Sequence, residues 1–196
     1  MTEEVDTGRR HFLTVATVAT GAVGAAFVAV PFLASWKPSA RAKAMGAPVE
    51  VDISKLEPGA MVKVEWRGKA IFVVHRTPQM LAGLDGVVAE LRDPESAESV
   101  QPEFATNAAR ALKPEYLVLI GVCTHLGCAP LDKFTPGDVT VGAGWQGGFF
   151  CPCHGSKFDI SGRVYKNVPA PTNLSVPPYQ FVTDTRILIG AEKGNA

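Results

Sequence analysis

Residues 12–34 form an unbroken uncharged run whose only interruptions are threonine, glycine and one proline. At about 1.5 Å per residue such a helix is roughly 34 Å long, enough to cross a bilayer. Beyond residue 47 the pattern changes to short apolar pieces. Residues 49–53 (VEVDI) and 61–66 (MVKVEW) alternate with period two and predict strands. Arg67-Gly68 reads as a turn and 70–75 (AIFVVH) as the returning strand of a hairpin. Residues 78–91 have apolar positions at helical spacing with Pro78 in the first turn, and predict a helix. Residues 92–114 are polar, carry three prolines and predict an irregular or partly helical surface insertion. A continuous apolar run at 116–121 predicts a buried strand, and 138–141, 148–150, 163–165, 179–183 and 186–189 predict further short ones. Residues 37–47 are small and unpatterned and read as a linker. There is no internal repeat. The expected fold is mainly β: one N-terminal transmembrane helix, a flexible linker and an antiparallel β-sandwich domain.

Composition agrees. The chain has 19 Gly and 15 Pro among 196 residues, which favours a loop-rich β protein over a helical bundle. Its formal net charge is zero and it has no basic stripe, so nucleic acid is not an expected partner. Charge matters most around the apolar run. Arg9, Arg10 and His11 precede it and Lys37, Arg41 and Lys43 follow it, so counting flanking cations does not orient it. The segment 7–13 (TGRRHFL), however, looks like a twin-arginine export signal, a route for proteins that fold around a cofactor before export. That places residues 1–11 in the cytoplasm, 12–36 across the inner membrane as a single pass and 48–196 in the periplasm. A cleaved signal peptide is the alternative. The run exceeds a usual signal core, and Arg and Lys surround the one small-residue candidate cleavage site at 40–42, which favours a retained anchor. Gly21, Gly24, Ala22, Ala25 and Ala26 give it a small-residue surface suited to close helix packing. Pro31 is placed to kink its outer end. The linker is either a plain spacer or a hinge.

All four cysteines lie in two runs, 123–128 (CTHLGC) and 151–156 (CPCHGS), which also hold two of the four histidines. Of the other two, His11 belongs to the export-signal segment, and His75 has no Cys or His partner near it in sequence and is expected to be structural. Cys-x-His in one run and Cys-x-x-His in the other supply two sulfurs and two imidazoles, enough for a tetrahedral metal or a mixed Cys/His iron–sulfur centre. Each run follows an apolar strand, so two adjacent loops at one end of the β domain can converge on one site. Gly127 and Gly155 allow backbone conformations that aim amide N–H groups at sulfur. A zinc ribbon would pair Cys-x-x-Cys knuckles and use every cysteine, which these spacings do not. A metal-free thiol pair would leave both histidines unexplained.

These loops resemble those of Rieske proteins, in which one iron of a [2Fe–2S] cluster carries two Cys and the other two His. The resemblance implies that Cys123, His125, Cys151 and His154 hold one [2Fe–2S] cluster within loops 122–130 and 151–158, with Ser156 hydrogen-bonding a bridging sulfur. Cys128 and Cys153 match a pair that forms an inter-loop disulfide in the respiratory branch, a bond that an oxidising periplasm permits. Residues 66–77 resemble a hairpin of the ubiquinol–cytochrome c reductase iron–sulfur subunits. The proline loop at 168–172 (VPAPT) matches the segment that covers the cluster, and the anchor and linker match their membrane helix and tether. The implied function is electron transfer. The cluster takes an electron, and a proton through a ligand histidine, from ubiquinol at the cytochrome b quinol-oxidation site. It then passes the electron to a membrane-anchored c-type cytochrome, in a dimeric, proton-translocating complex. His154 and His125 would be the catalytic residues. Leu126 is either part of an apolar docking tip or ordinary loop packing. Many members have Tyr two residues after the loop serine. Phe158 stands there, which implies a lower potential and more basic histidines in the oxidised state. A periplasmic oxidase such as an arsenite oxidase, and a zinc-stapled binding module, are the competing functions.

Overall fold

The computed structural model describes residues 6–191. The outermost parts of the expected 1–11 and 48–196 segments, namely residues 1–5 and 192–196, lie outside the described residues. The apolar run folds as helix α1, Thr7–Ala34. Asp6 starts it, with Oδ1 accepting the N–H groups of Gly8 and Arg9 at 3.0 Å each. The hydroxyls of Thr14, Thr17 and Thr20 donate back to the carbonyls of Arg10, Leu13 and Ala16, so these three hydroxyls within the apolar run are satisfied by the helix itself. The helix continues through Pro31 and buries none of its residues. By length and composition it can cross a membrane.

The segment expected to be an unpatterned linker contains a helix, α2, Ala40–Gly46. Ser39 caps it by accepting the Ala42 N–H at 3.1 Å. Ala, Arg, Lys and Met are good helix formers, a preference that hydrophobic periodicity does not register. The chain divides into two compact units, Met1–Ala44 and Met45–Ala196.

The second unit is built from three antiparallel three-stranded sheets. Strands β1 (Val49–Asp52), β9 (Arg186–Ile189) and β8 (Tyr179–Thr183) form one. Strands β2 (Met61–Trp66), β3 (Lys69–His75) and β4 (Tyr116–Ile120) form the second. Strands β5 (Leu131–Lys133), β6 (Gly148–Cys151) and β7 (Ser156–Asp159) form the third. Arg67 and Gly68 both take positive φ, 53° and 71°, the two-residue turn whose twist suits a tight hairpin. The core centres on β3 and β4. Residues 71–74 and 117–119 are buried, and the Phe72 ring stacks on Phe149 of the third sheet at 5.8 Å between centroids. Gly121 lets β4 leave past that ring, since a Cβ there would sit 2.3 Å from Phe72.

Several expectations are corrected. The helix over 78–91 is confined to α3, Pro78–Ala82, followed after Gly83 and Gly86 by a 3₁₀ turn, Val88–Glu90. Residues 138–141 are a turn, because the Asp138 carboxylate accepts the Thr140 N–H at 2.8 Å and folds the chain back. Residues 163–165 contribute two isolated bridges, Phe158 to Val164 and Leu91 to Tyr165. Strands β5 and β7 were not anticipated. The 92–114 insertion is irregular as expected, yet it buries Asp93, Ser96 and Arg110. His75 is structural, with Nδ1 2.7 Å from the Leu56 carbonyl.

Candidate metal centre

The two cysteine runs are held by neighbouring strands. Strand β4 leads into 121–130, and that loop returns as β5. Residues 152–155 join β6 to β7 as a tight connection between paired strands. The loops share a plan. In each, the glycine four residues after the first cysteine takes positive φ, 86° at Gly127 and 76° at Gly155. Each of these glycines donates its N–H at 3.0 Å to the carbonyl of that cysteine, Cys123 or Cys151. A side chain with Cβ would be strained at either position. The loops are joined by the Cys128–Cys153 disulfide, S–S 2.08 Å.

Cys123 and Cys151 remain as free thiols, both buried, at 2% exposure each. They are hydrogen-bonded neighbours. Burial pushes the Cys123 thiol up, the His125 N–H donated to its sulfur opposes this, and the adjacent Cys151 raises it further. The Ser156 hydroxyl also donates to Cys123, while its oxygen accepts the Ala170 N–H at 3.1 Å. The Cys151 sulfur also lies within 4.8 Å of both disulfide sulfurs, but those two are spent on each other. His125 and His154 are edge to face with centroids 4.7 Å apart. His125 is half-buried and His154 exposed.

The structure thus pairs the two candidate sulfurs, Cys123 beside Cys151, and the two candidate imidazoles, His125 beside His154, on loops that the disulfide joins. Burial and the adjacent Cys151 hold the Cys123 thiol up unless a cation compensates it, and N–H and O–H donors already point at that sulfur. This donor set fits a [2Fe–2S] cluster with two Cys and two His.

The proline loop closes over the site. Ala170 is fully buried. Thr124 donates to the Thr172 carbonyl at 2.7 Å, and Arg92 Nη1 donates to the carbonyls of Ala170 and Pro171 at 3.3 and 3.4 Å. Neither Thr124 nor Arg92 was singled out from sequence. Thr124 stands between two expected ligands, which was the available signal, whereas Arg92 lies 78 residues from its partner. Leu126 projects from the first loop with 72% exposure, which excludes the packing alternative for it.

Residues 48–180 match the family described as Rieske [2Fe-2S] domain, and residues 1–39 match that described as Ubiquitinol-cytochrome C reductase Fe-S subunit TAT signal. The chain is 56% identical to the ubiquinol-cytochrome c reductase iron-sulfur subunit of Allochromatium vinosum, over 96% of this chain and 91% of that protein. It is 50% identical to the subunit of the same name from Blastochloris viridis, over 93% of each. Identity to the cytochrome b-c1 complex subunit Rieske, mitochondrial, of Neurospora crassa is 44%, over 92% of this chain and 69% of that one. These matches take in the export signal, the apolar helix and both loops: the chain belongs to the Rieske [2Fe–2S] family, among the iron–sulfur subunits of ubiquinol–cytochrome c reductase.

Proposed function

We propose that the chain carries electrons from ubiquinol to a c-type cytochrome within a cytochrome bc complex, with Cys123, His125, Cys151 and His154 as cluster ligands. The observation that carries this is the pairing of two buried thiols and of two imidazoles, one of them exposed, on loops joined by a disulfide, with Leu126 projecting from the first loop. A cluster held there supplies one-electron chemistry at about −150 to +300 mV, against about −400 mV for all-cysteine plant-type clusters. The residues do the rest. His154 offers its outer ring nitrogen to the quinol hydroxyl, orients the headgroup and takes up the hydroxyl proton as the electron leaves. His125, half-buried with its ring edge to face against His154, holds that ring in place from the first loop. Leu126 forms the apolar tip that seats against cytochrome b and keeps water from the hydroxyl. The buried sulfurs and the proline loop exclude water from the opposite side.

The exported domain stays tied to the membrane by α1. In full, we place residues 1–11 in the cytoplasm, 12–36 across the inner membrane and the cluster domain in the periplasm, in a dimeric complex with cytochrome b and a membrane-anchored cytochrome c. Residues 37–47 serve as the hinge between two electron-transfer partners. Identity at 56% along 96% of the chain, anchor included, favours the quinol enzyme over a periplasmic oxidase subunit. Reduced-state EPR with a redox titration tests the reading. A mixed Cys/His cluster gives a low average g and a one-electron titration. An EPR-silent protein containing zinc would overturn it.

A further inference from the structure

Arg76, Arg110 and Arg163 are among the most completely buried side chains, each at 1% exposure or less. They converge on the turn that follows β7. Arg163 Nε donates to Asp159 Oδ2 at 2.7 Å. Arg76 Nη1 donates to the Ser161 hydroxyl at 2.8 Å, and Arg110 Nη1 to the Ser161 carbonyl at 3.2 Å. Gly162 keeps this turn close to the core, since a Cβ there would lie 2.7 Å from Leu119 Cδ1 and 3.3 Å from Arg110 Nη1.

Charge does not balance in this cluster. Among the described residues, Asp159 is the one carboxylate hydrogen-bonded to any of the three. The buried carboxylate of Asp93, which accepts the Ala97 and Glu98 N–H groups and the Ser99 hydroxyl, also acts on Arg110 through its charge, so two buried carboxylates stand against three guanidiniums. Arg76 Nη2 and Arg110 Nε have no partner. Burial pushes Arg76 and Arg110 down to about 10, so both remain charged at neutral pH. Buried charge without full compensation costs stability, and apolar residues of similar volume are often the more stable choice.

The same strand carries the metal centre. Strand β7 opens at Ser156, which bonds Cys123 and lies opposite Cys151 in the ladder. It closes at Asp159, three residues or about 10 Å further on. We infer that the guanidiniums beyond one end of β7 form a fixed positive field that raises the reduction potential of the cluster at its other end. Reduction adds one negative charge to the cluster, and a positive charge nearby stabilises that state. The strand rise sets about 10 Å as the scale of the separation; at that distance and an effective dielectric of about 20, one unit charge shifts the reduced-to-oxidised equilibrium on the order of tenfold, and less from further away. Being buried, the field is little screened by salt. The inference rests on the ligand assignment proposed above.

EPR-monitored redox titration of the full-length protein in its membrane tests it. Arg110→Met is expected to keep the spectrum but lower the reduced-to-oxidised ratio at a fixed ambient potential by up to about tenfold. Arg110→Lys, which retains the charge, is expected to shift far less. Gln101→Glu is the gentler variant, because Gln101 Oε1 already accepts from Arg110 Nη2 at 3.1 Å. It places a negative charge against the same guanidinium without emptying the core, and its shift should have the sign of Arg110→Met. A purely structural role would change cluster content and melting but not the midpoint. An unmoved midpoint in Gln101→Glu, or equal shifts in the Met and Lys variants, overturns the inference. A parent protein without the mixed-ligand spectrum would overturn the ligand assignment instead.

Discussion

Phe158 is fully buried in the core that also contains Cys123 and Cys151. It lies two residues beyond Ser156 on β7, so both side chains share one face of the strand. Ser156 donates to a cluster-side sulfur, and Phe158 has nothing to donate. A donor to sulfur stabilises the more negative reduced state, so Phe158→Tyr is expected to raise the midpoint, provided its hydroxyl reaches the sulfur. An unchanged midpoint in a variant with an intact spectrum would show that the hydroxyl does not tune the cluster. Melting should be followed alongside, because an extra oxygen in a closed core costs about 1–3 kcal/mol when it finds no partner. The candidate ligands were legible because reactive side chains are concentrated in two runs with asymmetric spacing. Thr124 and Arg92 were not, since their partners, Thr172 and Ala170, are brought to them only by the folded proline loop.

At the scale of elements, the site depends on two loops holding one register. The disulfide closes a span of 25 residues, from Cys128 to Cys153. A loop of that length limits the unfolded chain by about 3.5 kcal/mol in the entropic account. Replacing both cysteines by Ser should therefore lower the melting midpoint and cluster retention together. Retention at the parental level after heating would show that the ligands alone hold the loops. Strand β7 was hidden from sequence because it starts inside the second cysteine run at Ser156. Strand β5 is three residues long with its first two exposed, too short to show a period. In both cases hydrogen bonding to β6 creates the strand, whereas β3 and β4 announce themselves by continuous buried apolar runs and β2 by its alternation. The buried arginines went unnoticed for a related reason: a lone charged residue reads as surface until the fold encloses it.

For the whole molecule, the decisive segment is 37–47. As a helix the seven residues of α2 span about 10 Å, and fully extended they reach about 24 Å. A seven-residue helix is marginal by itself, because nucleation is costly and few hydrogen bonds follow. Melting α2 would thus release about 13 Å of reach at little free-energy cost, the property a hinge needs if one cluster is to serve two partners. Exchanging residues 40–46 for seven prolines tests this, since polyproline holds about 3.1 Å per residue and neither shortens nor folds. Quinol–cytochrome c turnover in the assembled complex is then expected to be lost while the EPR spectrum and midpoint stay parental. A Gly/Ser exchange of the same length, which preserves flexibility, should retain most of the turnover. Parental turnover in the proline variant would mean that both partners lie within reach of one fixed domain position, and residues 37–47 would be a spacer.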